Sequence, residues 1–439
     1  MNDQTITAKD IGGGLLGKLV RFSWRCSAYV SGFVALVAGA LYWKQDSLLY
    51  FPTIGGVPRH PSQNPRKYRS PSEHHIPFET HMIKCEDGVT IHSWLLYHPS
   101  SLNNKALPTI IFFHGNAGNI GLRLPNAVQM YHYLQVSTTL VRLDICRYVI
   151  SLTSLKFNSF LQANIWLVEY RGYGDSDDAI VNEKGLKLDA EAVLKYAHDQ
   201  NNNMRNVNVK KLFVFGRSLG GAVAFHMAKY AQASKYPLAG LLVENTFVSI
   251  STMVDHLMPY VAPFKSLILR IGWNSGEIAP TINVPTMYLA GAQDTLVPHS
   301  HMIELFTRMK NSKTDNIVRM HVVKNGTHNE TWMQGGKEYW VAIKSFLHDV
   351  LSAEEHYDGR AVTKTGTGVF QRKTSTSTTS CTEASSSESI EVGMGSTDGE
   401  DAAGMISSVG NFMGMAREAT RSVAAGRSGN SDAPSKKKE

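Results

Sequence analysis

Cysteine is scarce and scattered: Cys26, Cys85, Cys146 and Cys381 are the only four in 439 residues, without CxxC or His-Cys spacing. That pattern indicates neither a disulfide framework nor a zinc site, and it leaves the redox compartment unread. The net charge of +7 is spread thinly, with no long basic block interleaved with aromatics, so the chain offers nothing that nucleic-acid binding would favour. A small-residue cleavage pattern is missing after the uncharged run 26–43, which argues against a removable signal peptide. What is present is an apolar share of 43%, ordinary for a globular core and sufficient for one large domain with appendages.

The uncharged run 26–43 is bracketed by Lys18, Arg21 and Arg25 before it and Lys44 after it. A bilayer core needs ~20 apolar residues, and Trp24, Tyr42 and Trp43 suit the two interfaces, so 26–43 reads as a transmembrane anchor, with a buried core helix as the rival. Lys9, Lys18, Arg21 and Arg25 outnumber the basic residues soon after the span. By the positive-inside rule, 1–25 is then cytosolic and the rest of this single-pass type II chain lumenal or extracellular. Residues 44–74, rich in proline and basic side chains from Pro52 onward, read as a linker lifting the domain off the membrane.

The most informative stretch is Gly216-Arg217-Ser218-Leu219-Gly220, where an apolar run breaks at glycines around a serine and resumes with helical spacing. A serine in G-x-S-x-G sits on a strained strand-to-helix turn, and side chains at the flanking glycines would clash with the neighbouring elements. Upstream, an apolar strand at 108–113 ends in His114-Gly115-Asn116-Ala117-Gly118-Asn119. The backbone N–H groups of Asn116 and Leu219 are the expected two donors of an oxyanion hole. Strands at 164–170, 211–215, 238–243, 285–291 and 318–323 alternate with helical patterns at 121–135, 186–198 and 219–231. A hairpin turn at Asp87-Gly88 precedes them. The alternation predicts an α/β fold with a mostly parallel central sheet covered by helices on both faces. Residues 248–284 break it and read as a small apolar cap, with ordinary core helices as the alternative. Asp294 follows the strand at 285–291, and His328 the strand at 318–323. The order Ser218, Asp294, His328 is the one used by the α/β-hydrolase fold, with His328 taking the serine proton, Asp294 orienting the imidazole and Ser218 forming the acyl-enzyme. No cofactor or metal is needed for that chemistry.

These residues carry a resemblance. Through 112–121 (FFHGNAGNIG), 168–176, 186–193, 213–223, 243–247 (VENTF) and 326–332, the sequence resembles the membrane-anchored α/β-hydrolase-domain family that includes the thirteenth of the mammalian series and the fungal bud-emergence proteins. The resemblance implies a single-pass hydrolase with Ser218, Asp294 and His328 as its triad, and ester or thioester hydrolysis near membranes. It covers the anchor and a hydrolase domain over 75–352.

Two departures stand out. Residues 136–162 interrupt a helix-to-strand connection where two to six residues are usual. Val136-Ser137 can be encoded GTA-AGT and Gln162 by CAG after a pyrimidine-rich run, so an unspliced in-frame intron is expected, against a genuine surface insertion. The tail 353–439 is Ser/Thr/Gly-rich and reads as disordered, with Met405, Val409, Phe412, Met413 and Ala416 tracing a weak helical stripe.

Asn325 and Asn329 head glycosylation sequons usable only in a lumenal domain. The terminal Lys436-Lys437-Lys438 resembles a retrieval signal that works only in the cytosol, and the lumenal reading is preferred. The expected function is a membrane-anchored serine hydrolase acting on acyl esters or thioesters of lipid or protein. A peptidase on the same triad, and a disabled membrane-tethered interaction protein, are the alternatives.

Overall fold

The computed structural model describes residues 8–362, except 54, 99–106, 136–161, 200–203, 205–206, 235 and 313–315. The interruption read over 136–162 and the tail beyond 362 therefore lie outside the described residues, apart from Gln162.

The sheet is built from short apolar runs. β3 (Thr109–Phe113), β4 (Asn164–Val168), β5 (Leu212–Arg217), β6 (Gly240–Glu244) and β7 (Thr286–Gly291) are buried at every position. Runs without polar alternation are what a parallel sheet covered on both faces requires. β8 (Val318–Val323) continues the parallel array, whereas β1 (Phe78–Lys84) and β2 (Thr90–Leu96) form an antiparallel hairpin that adds to β4. Its turn places Gly88 at φ 89°, a left-handed conformation that glycine adopts without penalty. The strand order is β1-β2-β4-β3-β5-β6-β7-β8. Chain order reverses at β3, between β4 and β5, and the crevice at such a switch point is where ligands gather.

Two cores flank the sheet, and successive strand residues alternate between them. Ile111, Phe113, Trp166, Val168 and Val214 face α3 (Glu183–His198), α4 (Leu219–Ser234) and α8 (His299–Lys310). Ile110, Phe112, Ile165, Leu167 and Phe215 face α2 (Leu124–Gln135) and α10 (Gly336–Val362). Asn182 caps α3 by accepting from the Gly185 N–H at 2.8 Å. The cap consists of α5 (Ile250–Leu257), α6 (Lys265–Ile268) and α7 (Ser275–Ile278). α5 opens with a reciprocal capping box between Ser249 and Thr252, which satisfies two backbone N–H groups the helix leaves without partners. Between α8 and α10, α9 (Thr331–Gln334) is a single turn.

The N-terminal segment differs from the sequence reading. α1 runs from Ala8 to Leu49, beyond the 26–43 span, and its Val20–Leu49 portion is long and apolar enough to cross a membrane. Residues 44–74 do not stand off as a linker. Gln45 is buried, its amide donating to the Ile268 carbonyl at 2.7 Å and its oxygen accepting from the Arg270 N–H at 2.8 Å. Asp46 pairs with Arg270, and the Tyr50 hydroxyl accepts from the Trp273 indole at 2.9 Å. The physical reason is a polar end to an apolar helix, with Gln45 matched to backbone groups of the cap and Asp46 and Tyr50 to the Arg270 and Trp273 side chains. At the other end, α10 reaches Val362, beyond the domain boundary at 352.

Candidate active site

Ser218 sits between β5 and α4 at φ 55°, a left-handed conformation costly for a side chain other than glycine. The turn is over-determined around it. A Cβ on Gly216 would lie 2.1 Å from the Gly220 carbonyl oxygen, and a Cβ on Gly220 would lie 2.1 Å from that of Phe113. No side chain fits either gap. The Ser218 N–H donates to Glu244 O at 2.9 Å, and the Thr246 hydroxyl donates to Ser218 O at 2.7 Å.

The three residues singled out from sequence meet. His328 Nε2 lies 3.0 Å from Ser218 Oγ, and His328 Nδ1 lies 2.7 Å from Asp294 Oδ2. The other Asp294 oxygen accepts from the Leu296 and Val297 N–H groups, both at 2.9 Å. Those two donors, supplied by the turn after β7, fix the carboxylate so that its free oxygen faces the imidazole. A histidine held this way has Nε2 available as an acceptor for the serine proton.

The loop after β3 carries the candidate oxyanion donor Asn116. Among the described residues its N–H makes no hydrogen bond, whereas its carbonyl accepts from the Tyr173 hydroxyl at 2.7 Å and the Phe51 N–H at 2.9 Å. Asn116, Ser218 and Leu219 line one cavity. Leu219 is the first residue of α4, so its N–H has no intrahelical acceptor and lies at the positive end of the helix dipole. The loop is stiffened from below. His114 is buried, with Nε2 2.9 Å from Glu169 Oε1, while Glu169 Oε2 accepts from the Ile120 N–H at 2.9 Å. Burial lowers the His114 pKa, against the raising effect of the Glu169 carboxylate. Burial raises those of Tyr170 and Tyr173, which keeps both phenols as donors to the loop carbonyls of His114 and Asn116.

One residue of this site escapes sequence reasoning. Asn245 at the end of β6 has φ 47°, and its side chain joins the two loops that deliver Asp294 and His328. Its amide donates to Thr327 O at 3.2 Å, His328 O at 3.0 Å and Thr331 Oγ1 at 2.9 Å, and its oxygen accepts from the Gly291 N–H at 2.8 Å. The available signal was an asparagine ending a buried apolar strand, where a polar side chain with all its hydrogen-bonding groups spent implies a clamp.

The cavity over Ser218 has a volume of ≈ 440 Å³. The cap contributes Met253, Val254, Leu257, Val261 and Ile268, and α1 contributes Leu41, Gln45 and Leu48. A lining so largely apolar suits hydrocarbon, its polar side chains being Gln45, Ser47, Asn116, Ser218 and Lys265. The sequon residue Asn325 is exposed, and Asn329 is half-buried with its carbonyl accepting from the Trp332 indole at 2.9 Å. Among the described residues no group of His, Cys, Asp and Glu is arranged to hold a metal ion.

Residues 108–237 match the alpha/beta hydrolase fold family. Bem46 of Schizosaccharomyces pombe is 29% identical over 322 residues, 73% of this chain and 92% of that protein. The Arabidopsis thaliana alpha/beta hydrolase domain-containing protein WAV2 is 29% identical over 329 residues, 72% of this chain and 90% of its own. YNL320W of Saccharomyces cerevisiae, called an uncharacterized membrane protein, is 28% identical over 332 residues, 74% of this chain and 97% of its own. The sheet order, the serine elbow and these relatives make the chain an α/β-hydrolase-fold protein, similar over most of its length to bem46, WAV2 and YNL320W.

Proposed function

We propose that the protein is a membrane-anchored serine hydrolase that cleaves acyl esters or thioesters through an acyl-enzyme. The observation that carries the reading is the continuous chain Ser218 Oγ, His328, Asp294, with links of 3.0 and 2.7 Å, opening into an apolar cavity. His328 takes the Ser218 proton as Oγ attacks the substrate carbonyl, and the Asn116 and Leu219 N–H groups receive the developing oxyanion. His328 returns the proton to the departing alcohol or thiol. Water, activated by the same imidazole, then releases the acid and restores the serine. Asp294 holds the tautomer throughout and balances the imidazolium.

The apolar lining favours an acyl chain over a peptide, whose polar backbone would lose its hydration without gaining partners there. α1, with the aromatic and basic flanks of 26–43, supports single-pass anchoring with 1–25 cytosolic and the domain lumenal or extracellular. The test is covalent labelling by a fluorophosphonate, together with hydrolysis of p-nitrophenyl esters of increasing chain length. Labelling and turnover that both vanish in Ser218→Ala are the expected result. Turnover unchanged in that variant would remove Ser218 from the chemistry.

A further inference from the structure

The cap presents an apolar face that the described residues leave uncovered. Tyr260 is 74% exposed, Phe264 54% and Leu267 81%, within a dozen residues of chain and on or beside α6. Large apolar side chains gathered so closely on a surface mark an interaction site rather than scattered exposure. The position of the face says what covers it. α6 packs against the end of α1, and Gln45 ties α1 to the Ile268 carbonyl. Leu41, which lies inside the uncharged run 26–43, lines the cavity that contains Ser218. Thus one cavity is walled at once by the nucleophile and by a residue of the apolar span. Trp43, 80% exposed, and Lys44 follow within one turn, the residue types that sit where hydrocarbon meets headgroups.

We propose that the exposed face of the cap is seated in the bilayer beside α1, and that the acyl chain of a membrane-resident substrate passes from the leaflet into the cavity between α1 and α6. This rests on the hydrolase reading above and adds a substrate class to it: esters or thioesters whose chain is already in the membrane. The chain then moves from one apolar medium to another and never crosses water, while its ester group, held at the headgroup level, meets Ser218. Continuity with α1 favours lipid as the occupant of the face over a second protein.

The test uses the full chain reconstituted in phosphatidylcholine vesicles. Wild type is compared with a double variant, Phe264→Glu with Leu267→Glu, and with its conservative counterpart, Phe264→Trp with Leu267→Trp. Neither residue lines the cavity. Two substrates are read: p-nitrophenyl acetate from the aqueous phase, and p-nitrophenyl palmitate dissolved in the vesicles. The glutamate variant should lose at least about tenfold on the vesicle-borne ester, since it withdraws two apolar anchors from the bilayer. Its turnover of the soluble ester should stay within about twofold, as expected for exposed substitutions. The tryptophan variant should retain both. Equal turnover of the palmitate by all three proteins overturns the proposal, because a face covered by protein makes no difference where only lipid is present. Equal loss on both substrates also overturns it, by making the face part of the fold. A wild type that neither labels with fluorophosphonate nor turns over the acetate strikes instead at the hydrolase reading beneath.

Discussion

Asn245→Asp is the sharpest probe of how the triad is held, because it changes no volume and reverses one group's hydrogen-bonding sense. The native amide donates to the carbonyls of Thr327 and His328 and meets the Thr331 hydroxyl, while its oxygen holds Gly291. A carboxylate keeps the Gly291 contact, and the Thr331 hydroxyl can turn to meet it by giving up its own bond to Thr327 O at 2.6 Å. The two carbonyls are then left facing a negative oxygen with no donor. At ~1–2 kcal/mol for each buried group so orphaned, the loss comes to ~2–4 kcal/mol. The total stability of a domain is about 5–15 kcal/mol, so the fold should survive while the loop bearing His328 relaxes. If the loss falls wholly on the reactive geometry, kcat/KM drops by ~30- to 1,000-fold. The assay is p-nitrophenyl acetate turnover alongside the melting temperature. Below the ordinary carboxylate range, the new side chain carries a proton and donates to one carbonyl again, so the melting gap to wild type should narrow on acidification. A variant within twofold of wild type in rate and equal to it in melting would refute the clamp.

Four further outcomes are expected. Ser218→Ala should abolish fluorophosphonate labelling and lower kcat by several orders of magnitude, roughly 10⁶ in a well-studied protease, with melting unchanged. Gly220→Ala should yield little folded protein in a solubility and circular-dichroism assay, since its Cβ would meet the Phe113 carbonyl oxygen at 2.1 Å. Val254→Trp should fill the acyl cavity and raise KM for octanoyl over acetyl ester by about tenfold, at ~0.8 kcal/mol per displaced methylene. Burial lowers the His98 pKa from 6.5 to about 4. The unfolded chain therefore binds more protons between those values, so the stability contributed above pH 6.5 is lost as pH falls toward 4. His92, His114 and His301, lowered by the same cause, act in the same direction, and a melting temperature flat across that window would contradict the assignment.

The sheet and the meeting of Ser218, Asp294 and His328 were legible because each rests on a local pattern. Continuous apolar runs gave the parallel strands, and glycine spacing around Ser218 gave the elbow. Asp294 and His328 followed from their places just after strands. What stayed hidden depends on contacts between segments distant in sequence. Nothing in the spacing of Gln45, Asp46 and Tyr50 reveals that they meet Ile268, Arg270 and Trp273, so the end of α1 read as linker. Asn245 was hidden for the same reason, since its partners come from loops more than 40 residues further along. Asn116 was legible as a residue at the site, but the bonds that hold its carbonyl come from Tyr173 and Phe51, neither of which carries a catalytic signature.

The unbroken passage from α1 into the domain has a mechanical consequence. Leu49, the last residue of the helix, accepts at its carbonyl from the Asn116 side chain, and Phe51 pairs with Ala117 in the loop after β3. At ~1.5 Å per helical residue, Leu49 stands only about 9 Å above Trp43. If the hydrolase is anchored as proposed, a catalytic unit mounted on so short and stiff a post has one working height and no swivel. It would act on bonds that lie near the plane of the headgroups and would not reach out along a distant protein. Its encounter with substrate would be a search in two dimensions, governed by how densely the leaflet carries that substrate and not by its concentration in solution.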